Sequence, residues 1–361
     1  MKRVTFRIIF LSIIAIALII VGTSCAHTSE VKDFNGKPIA LEVDSLERVT
    51  VNGSKQWIYL AGAQRENPVI LWLDGGPGGS ELGWVRHYLG PLHKSFTVVC
   101  WDQRGTAGSY RTDKDTLTVE QYVSDVIVLS EMLAKRFGQE KIFLVGHSWG
   151  SIIGLLAAQQ RPDLYHAYIG AAQHINSIEN DTIGWRMILD GAKVEGDEKT
   201  VKLMEKMGPP PYTKLDKDGS TVGDGDAYYQ VLKRLYHYSP SAPADKGFDS
   251  MKMFLASEHN FRSKINLVRG LLRGVKVVYP QLAFRDMEEE VTSLGCPLFL
   301  INGRSDMTCV ASISERWFQK VSAPSKQMLW LENSGHNGVF TEPEPFIELL
   351  IQEARPLINK I

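Results

Sequence analysis

Gly-His-Ser-Trp-Gly, residues 146–150, lies between an apolar run at 141–145 and an apolar segment of helical spacing at 152–160. A serine between two glycines, at the turn from a strand into a helix, is typical of a nucleophile elbow. The turn holds the serine in a strained backbone conformation, where neighbouring side chains would clash with it. The sequence therefore predicts that Ser148 is a nucleophile at the tip of a strand–turn–helix unit.

A serine hydroxyl needs a base to remove its proton and an acid to orient that base. In strand–turn–helix hydrolases the chain order is serine, acid, histidine. Asp306 follows the apolar run 297–301, and His336 follows the run 327–331. Both lie at the carboxyl ends of predicted strands, where open α/β sheets have their ligand crevice. We therefore predict that Ser148, His336 and Asp306 form a catalytic triad, although Asp306 has a helix cap as its alternative role.

An oxyanion needs N–H donors that are already in place. The backbone N–H of Trp149, directly after the predicted nucleophile, is one candidate. The loop Asp-Gly-Gly-Pro-Gly-Gly, residues 74–79, supplies the other, because its glycines let the backbone come close to a substrate. We favour Gly76 as this second donor, with Gly75 as the alternative.

Short apolar runs alternate with segments of helical spacing over most of the chain, and this pattern indicates a mostly parallel sheet covered by helices on both faces. An Asn52-Gly53 pair between two further β-like stretches predicts a hairpin before the alternation begins. The predicted strands of the alternation are Val69–Leu73, Phe96–Trp101, Lys141–Val145, Tyr165–Ala171, Pro297–Ile301 and Gln327–Leu331.

The alternation stops between residues 175 and 287, where helical patches and a Gly-Pro-Pro-Pro break at 208–211 replace the apolar strands. We therefore predict an α/β core at 37–174 and 288–361 and a mainly helical cap at 175–287. The last predicted element is a helix from Glu344 to Ile358.

The overall composition excludes several classes of function. The 361 residues carry a net charge of −1 and are 44% hydrophobic, so nothing indicates a nucleic-acid partner. No His-x-x-x-His zinc motif occurs, and no cofactor or metal is predicted. Cys100, Cys296 and Cys309 are interpreted as buried thiols, because an exported domain of this size does not need disulfides.

The first 25 residues form a separate segment. Lys2, Arg3 and Arg7 precede a 14-residue apolar run, Ile8–Val21, in the order of an export signal. Cys25 follows small residues, as in a bacterial lipoprotein that is lipidated at this cysteine, although Gly22 stands where that pattern prefers a branched aliphatic. Lipidation at Cys25, an uncleaved anchor and plain secretion stay open. The two tethered forms predict membrane association through the N-terminus, with residues 26–36 as a polar tether.

These motifs together resemble the proline iminopeptidase family of α/β-hydrolases. The resemblance rests on Asp-Gly-Gly-Pro-Gly-Gly at 74–79, Asp-Gln-Arg-Gly at 102–105, the elbow at 146–150, and the segments containing Asp306 and His336. It implies an α/β-hydrolase fold with a helical cap, and removal of an N-terminal residue, often proline, from a short peptide. It also implies that Asp102 and Arg104 belong to a structural loop network.

The chain departs from the family at three places. Asp74 stands where the family has histidine, Ala107 replaces a glycine, and the Trp-x-x-Trp-Glu signature of the family's cap is missing. The family's cap holds the substrate's free amine with carboxylates. The candidates for that role are Glu179, Glu195, Glu205 and Glu258, although an exposed helical glutamate is the simpler interpretation of each.

The first functional hypothesis is therefore a tethered serine aminopeptidase acting on small peptides. The second keeps the triad and gives it a small acyl substrate, such as an ester, a lactone or a small amide. A ligand-binding protein without turnover is the third, and a complete set of Ser148, Asp306 and His336 disfavours it. An epoxide or haloalkane hydrolase is also disfavoured, because their elbow carries aspartate. The sequence predicts no oligomeric state.

Overall fold

A computed structural model describes residues 25–113, 116–217 and 221–359. The predicted export signal, apart from Cys25, lies outside the described residues, and so does its apolar run. Among the residues that are described, no helix is long and apolar enough to cross a membrane.

One large sheet forms the centre of the described structure. Its eight strands lie in the order β1-β2-β4-β3-β5-β6-β9-β10, and all neighbours from β4 to β10 are parallel. The strands are β1 Val43–Val51, β2 Ser54–Gly62, β3 Val69–Leu73, β4 Thr97–Asp102, β5 Ile142–His147, β6 Tyr165–Ala171, β9 Leu298–Gly303 and β10 Lys326–Leu331. The predicted mostly parallel α/β-hydrolase sheet is confirmed.

The central strands are apolar at every position because helices cover both faces of the sheet. All residues of β3, β4 and β5 are buried. The antiparallel hairpin β1–β2 turns at Asn52 and Gly53, both with positive φ, as predicted. The α-helices of the core are α1 Leu82–Tyr88, α2 Val119–Phe137, α3 Trp149–Gln160, α11 Ala311–Lys320, α12 Gly338–Thr341 and α13 Pro343–Leu349.

The chain between β6 and β9 is mainly helical. Its α-helices are α4 Ser177–Glu195, α5 Glu198–Met207, α6 Gly225–Tyr238, α7 Ser241–Ala244, α8 Met251–Leu255, α9 Phe261–Val277 and α10 Met287–Glu290. The sequence missed a short antiparallel hairpin, β7 Thr213–Leu215 and β8 Thr221–Gly223, because strands of three residues carry almost no periodicity. The two ends of this cap meet at an antiparallel bridge between Asn176 and Asp286.

Two predicted segments differ from the structure. The final helix ends as α at Leu349 and continues as a π turn, Leu350–Ala354, and a 3-10 turn, Arg355–Asn359. Pro356 lacks the N–H that a continuing α-helix needs, so the regular ladder stops. Part of the predicted tether packs on the core instead of standing free: Val31 is fully buried in an apolar cluster beneath the sheet.

Candidate active site

The elbow at Ser148 has the backbone strain that its sequence predicts. Ser148 lies between β5 and α3 with φ +53° and ψ −119°, a conformation that non-glycine residues rarely adopt. A side chain at Gly146 would meet the carbonyl of Gly150, and a side chain at Gly150 would meet the carbonyl of Leu73. Both glycines are therefore required for the turn that presents the Ser148 hydroxyl.

The structure brings the three predicted triad residues together. His336 Nε2 lies 3.0 Å from Ser148 Oγ, and His336 Nδ1 lies 3.0 Å from Asp306 Oδ2. Each ring nitrogen thus faces a different partner. The Asp306 side chain is fully buried, whereas the His336 side chain keeps 14% of its surface exposed.

Asp306 does not cap the helix that follows it, which was its alternative role. Helix α11 begins at Ala311, and its N-cap residue Val310 makes no side-chain capping hydrogen bond. The Oδ1 atom of Asp306 instead accepts hydrogen bonds from the N–H groups of Thr308, at 2.8 Å, and Cys309, at 3.0 Å, within the loop ahead of α11. These bonds fix the carboxylate that faces His336.

The loop that carries His336 is held from two sides. Asp245, a buried carboxylate from the cap, accepts hydrogen bonds from the N–H groups of Gly335, at 2.8 Å, and Asn337, at 3.1 Å. On the core side, His147 Nε2 lies 3.1 Å from the carbonyl oxygen of His336. Core and cap together therefore fix the position of the His336 backbone.

His147 and Glu81 form a buried pair beneath the site, with His147 Nδ1 2.7 Å from Glu81 Oε1. Both ring nitrogens of His147 face acceptors, so the protonated ring satisfies both. Burial alone would lower the pKa of His147, but the Glu81 carboxylate outweighs it and the net shift is upward. Glu81 also accepts hydrogen bonds from Gly75 N–H, at 2.9 Å, and from the indole of Trp72.

The two candidate oxyanion residues of the glycine loop differ in their bonding. The Gly75 N–H already donates to Glu81. The Gly76 N–H has no acceptor among the described residues, and Gly76 adopts φ +136°, a conformation open to glycine. Trp149 is the first residue of α3, where a backbone N–H has no partner within its own helix.

Gln103 connects the elbow to this glycine loop. Its amide oxygen accepts a hydrogen bond from the Trp149 indole, and its amide nitrogen donates to the carbonyl of Asp74. Arg104, its neighbour, forms a buried bidentate pair with Asp125. The Asp-Gln-Arg-Gly segment thus acts as the structural network that the resemblance implied.

Asp74 and Ala107, the two departures from the family in these loops, both lie in unusual local environments. The Asp74 side chain is buried and neither carboxyl oxygen has a hydrogen-bond partner within the described ranges. Burial, with the nearby Glu81 and Asp102 carboxylates, raises the pKa of Asp74 well above its usual range. Ala107 adopts φ +37° despite its Cβ atom.

A cavity of about 200 Å³ opens at Ser148 and His336. Gly75, Gly76 and Gly79 form one wall, and Trp84, Met253 and Leu271 form an apolar wall. The volume is below the range of pockets that enclose drug-sized ligands. The space therefore fits a small group, such as one amino-acid side chain or a short acyl chain.

None of the four cap glutamates suggested as amine ligands lines this cavity. Three of them pair with basic side chains at the surface, and Glu258 is buried against Arg86, with 2.9 Å between Oε1 and Nε. The surface pairs are Glu179 with Arg316, Glu195 with His237, and Glu205 with Lys193. The only carboxylate among the described residues that line the cavity is Glu81, which the sequence did not suggest.

Cys309 lies beside Ser148, with its Sγ 3.9 Å from Ser148 Oγ and 3.8 Å from His174 Nδ1. Burial raises the pKa of the Cys309 thiol and lowers the pKa of His174 to about 4. Both groups are therefore neutral at pH 7. As predicted, Cys100 and Cys296 are also buried free thiols. Within the described ranges, no group of three or more His, Cys, Asp or Glu side chains is placed to hold a metal ion.

Comparison with known proteins assigns the family. A sequence model of the Alpha/beta hydrolase family matches residues 71–349. The chain belongs to the α/β hydrolase family. Among solved structures, this α/β hydrolase is similar to the proline iminopeptidase of Mycobacterium smegmatis, with a TM-score of 0.63 and 14% identity over 88% of this chain and 99% of that one. The resemblance to proline iminopeptidases is thereby confirmed at the level of the fold.

Two curated relatives of this α/β hydrolase have names that suggest activities. The "Probable aminopeptidase YbaC" of Bacillus subtilis (strain 168) is 29% identical over 316 residues, which cover 86% of this chain and 96% of that protein. The "Putative carbamate hydrolase RutD" of Caulobacter sp. (strain K31) is 35% identical over 303 residues, which cover 82% and 94%.

The sequence missed several residues that build this site. His147 was visible inside the elbow motif, but its pairing partner Glu81 is 66 positions away and gives no local signal. Asp245 lies in the cap, where no motif points to it. These contacts arise only when the loops fold over one another.

Proposed function

We propose that this α/β hydrolase is a serine hydrolase that works through an acyl-enzyme on Ser148. The observation that carries this proposal is the line of contacts from Ser148 Oγ through His336 to Asp306 at the mouth of the cavity. His336 Nε2 takes the hydroxyl proton as Ser148 attacks the scissile carbonyl carbon. It then gives that proton to the leaving amine or alcohol, while Asp306 stabilises the transient imidazolium.

The oxyanion of the tetrahedral intermediate accepts hydrogen bonds from the N–H groups of Trp149 and Gly76. Gly76 is preferred over Gly75 because the Gly75 N–H already donates to Glu81. Glu81 therefore orders the glycine loop, and the following N–H is left to serve the substrate. Water then hydrolyses the acyl-enzyme with His336 as base, which restores the Ser148 hydroxyl.

The proposed substrate is a short peptide from which a small N-terminal residue is released. This choice rests on the loop motifs and on the relative named as an aminopeptidase. The apolar wall of Trp84, Met253 and Leu271 suits the side chain of the released residue. Proline, alanine and leucine are the first residues to test.

A small ester, amide or carbamate is the second candidate substrate. The bonding of Glu81 favours it, since this carboxylate already accepts from His147, Gly75 and Trp72. A substrate ammonium would have to displace one of these donors. The relative named as a carbamate hydrolase has the same family fold.

One set of substrates separates the two candidates. Turnover of Pro-, Ala- and Leu-arylamides is compared with that of N-acetyl-Ala-arylamide and of short acyl esters. An aminopeptidase cleaves Ala-arylamide and loses this activity when the amine is acetylated. Ester turnover without arylamide turnover would overturn the peptidase proposal and favour the second candidate. A fluorophosphonate probe that labels the wild type but not Ser148→Ala tests the nucleophile independently of the substrate.

We also propose that the protein is tethered to a membrane by its N-terminus, with lipidation at Cys25. Cys25 is exposed at the beginning of the described chain, as a modified residue must be. Metabolic labelling with a fatty-acid analogue tests the modification. Label in the wild type and none in Cys25→Ala supports lipidation, whereas equal label in both excludes Cys25 as its site.

A further inference from the structure

Helix α9 carries an exposed apolar stripe on the outside of the cap. Phe261, Ile265, Val268 and Leu272 follow one another at spacings of four, three and four residues, so they lie along one side of the helix. Their exposed fractions run from 39% to 49%. Leu255, at the end of α8, is 64% exposed. We call the surface formed by these five side chains the α9 face.

Cations surround the α9 face and acids are absent from its helix. The sequence of α9 contains Arg262, Lys264, Arg269, Arg273 and Lys276 and neither Asp nor Glu. Lys276 pairs with Asp226, and the Arg273 guanidinium donates to two loop carbonyls. Arg262, Lys264 and Arg269 have no ion-pair partner within the described residues. An apolar stripe with basic flanks is the pattern of helices that lie in the interface of an anionic membrane.

The beginning of the described chain lies next to the same surface. The His27 N–H donates to the carbonyl of Ser257, at 3.1 Å, and the Ser29 and Ser257 hydroxyls are in contact. Ser257 stands two residues after Leu255 and four before Phe261. The proposed attachment point at Cys25 is therefore only two residues from a contact with the chain that joins α8 to α9.

We infer that the α9 face docks on an anionic lipid membrane, the same membrane to which the N-terminus is attached. The inference builds on the proposed tether, which holds the face at a high effective concentration next to the lipid surface. The apolar stripe enters the interface and the unpaired cations contact lipid phosphates. The orientation of the whole hydrolase on the membrane follows from these two attachments.

Docking would place the catalytic cavity close to the lipid surface. Leu271, the neighbour of Leu272 on α9, contributes to the cavity wall. The side of α9 opposite the stripe carries Gly270 and Gly274. An added Cβ atom at Gly274 would collide with the carbonyl of Pro77, and one at Gly270 would lie 3.0 Å from the carbonyls of Gly78 and Gly105. The lipid would thus be no farther from the cavity than about one helix diameter, roughly 10 Å.

The test uses the full chain reconstituted in vesicles, with an environment-sensitive fluorophore on a cysteine introduced as Val268→Cys. Cys25 is retained as the proposed lipid attachment site, and its lipidated thiol cannot take up the fluorophore. Met132→Cys on α2 is the matched control, because Met132 is also an exposed apolar residue on a helix. Vesicles are made of phosphatidylcholine alone or mixed with phosphatidylglycerol, with doxyl-labelled lipid as quencher. Circular dichroism checks that each variant is folded.

Docking predicts severalfold stronger quenching at position 268 than at position 132, and only in the anionic vesicles. Arg262→Gln and Arg269→Gln lower the ratio of docked to free protein about fivefold for each cation removed. Equal quenching at the two positions would overturn the inference. A shielded fluorophore at position 268 that doxyl-labelled lipid does not quench would also overturn it, and would favour a second copy or the N-terminal segment as the occupant.

Flotation of the vesicles tests the tether separately. Protein that floats but shows no quenching at position 268 is tethered and not docked, which contradicts only the inference about the α9 face. Protein that does not float, and shows no quenching, contradicts both the tether and the docking. Hydrolysis of esters or arylamides in detergent is independent of both results.

Discussion

The protein contains two clusters of serine, histidine and aspartate, and their geometry differs. In the first cluster, His336 Nε2 contacts Ser148 and Nδ1 contacts Asp306. In the second, between core and cap, His259 uses the single atom Nε2 for Asp102, at 3.0 Å, and for Ser80, at 3.5 Å. The Ser80 hydroxyl donates to Asp102, at 2.8 Å, and His259 Nδ1 has no partner among the described residues.

The difference shows that residue types alone do not make a triad. A base must receive a proton at one nitrogen while an acid holds the other. His259 cannot do this with Ser80, because its only engaged nitrogen already faces the carboxylate. The second cluster is also closed to substrate, since all three of its residues are buried. The cluster joins the cap to the core, because His259 belongs to the cap and Asp102 to the core. The Asp102 carboxylate raises the pKa of His259 despite burial, which favours a charged pair.

The largest expected effect is on kcat, and it distinguishes Ser148 from Ser80. Ser148→Ala lowers kcat by about 10⁶-fold, because the nucleophile is lost. Ser80→Ala removes one buried hydrogen bond and lowers the free energy of unfolding by about 1 kcal/mol, with kcat close to that of the wild type. Ester hydrolysis and urea denaturation measure the two effects. Loss of activity in a folded Ser80→Ala variant, with Ser148→Ala still active, would reverse the two roles.

The two aspartates should differ in the same way. Asp306→Asn lowers kcat by about 10⁴-fold, because the amide no longer stabilises the imidazolium form of His336. Asp102→Asn leaves His259 without its buried counter-ion and lowers the free energy of unfolding by about 3 kcal/mol. Activity per folded molecule and urea denaturation give these values. An Asp102→Asn variant that loses kcat without losing stability would contradict this assignment.

Asp181 can be compared with Asp306 and Asp102, because it is also a buried carboxylate but faces a phenol instead of an imidazole. The Tyr279 hydroxyl donates to Asp181 Oδ1, and burial raises the pKa of Asp181 from 3.8 to about 7. Between these values the folded state binds more protons than the unfolded state, so stability falls as the pH rises from about 4 to about 7.

Asp181→Asn removes that loss and makes the protein more stable at pH 8 by at most about 4 kcal/mol. Urea denaturation of both proteins from pH 4 to pH 8 measures the difference. The gain should vanish towards pH 4, where the carboxyl group is protonated in both states. An unchanged pH dependence would show that Asp181 is not protonated in the folded protein.

Among the variants expected to lose activity, the smallest loss concerns the cap residue that holds the His336 loop. Asp245→Ala removes the acceptor of the Gly335 and Asn337 N–H groups and lets His336 shift, which lowers kcat by up to about 100-fold. The rate at which a fluorophosphonate labels Ser148 should fall with it, while KM changes little. Asp249→Ala, at a partly exposed acid of the cap, is the control. Equal kcat values for both variants would show that Asp245 does not position the base.

The candidate site was predictable from the sequence where its signals are local. The elbow needs glycines at 146 and 150 because their neighbours leave no room for a Cβ atom, and this requirement is visible in five residues. Asp306 and His336 were found because they follow apolar strands in the expected order. Parallel strands place their carboxyl ends at one edge of the sheet, so the order of motifs predicts their proximity.

The rest of the site depends on contacts between distant loops. Glu81, Asp245 and Gln103 join segments that are 29 to 92 residues apart, and no periodicity records such a pairing. The cap glutamates gave a wrong suggestion for the same reason. A carboxylate suits a substrate ammonium group, but in the folded protein three of these glutamates pair with basic side chains at the surface. The fourth, Glu258, pairs with Arg86.

The sequence by itself determined the α/β sheet, the strained elbow and the identity of Ser148, Asp306 and His336 as a matched set. Apolar runs, glycines and chain order are local properties, and backbone sterics and burial act on them directly. Only the tertiary structure revealed the second Ser-His-Asp cluster and showed that it lacks the geometry of a triad. That difference depends on which ring nitrogen meets which partner and on what remains open to substrate, and both are fixed by packing between the core and the cap.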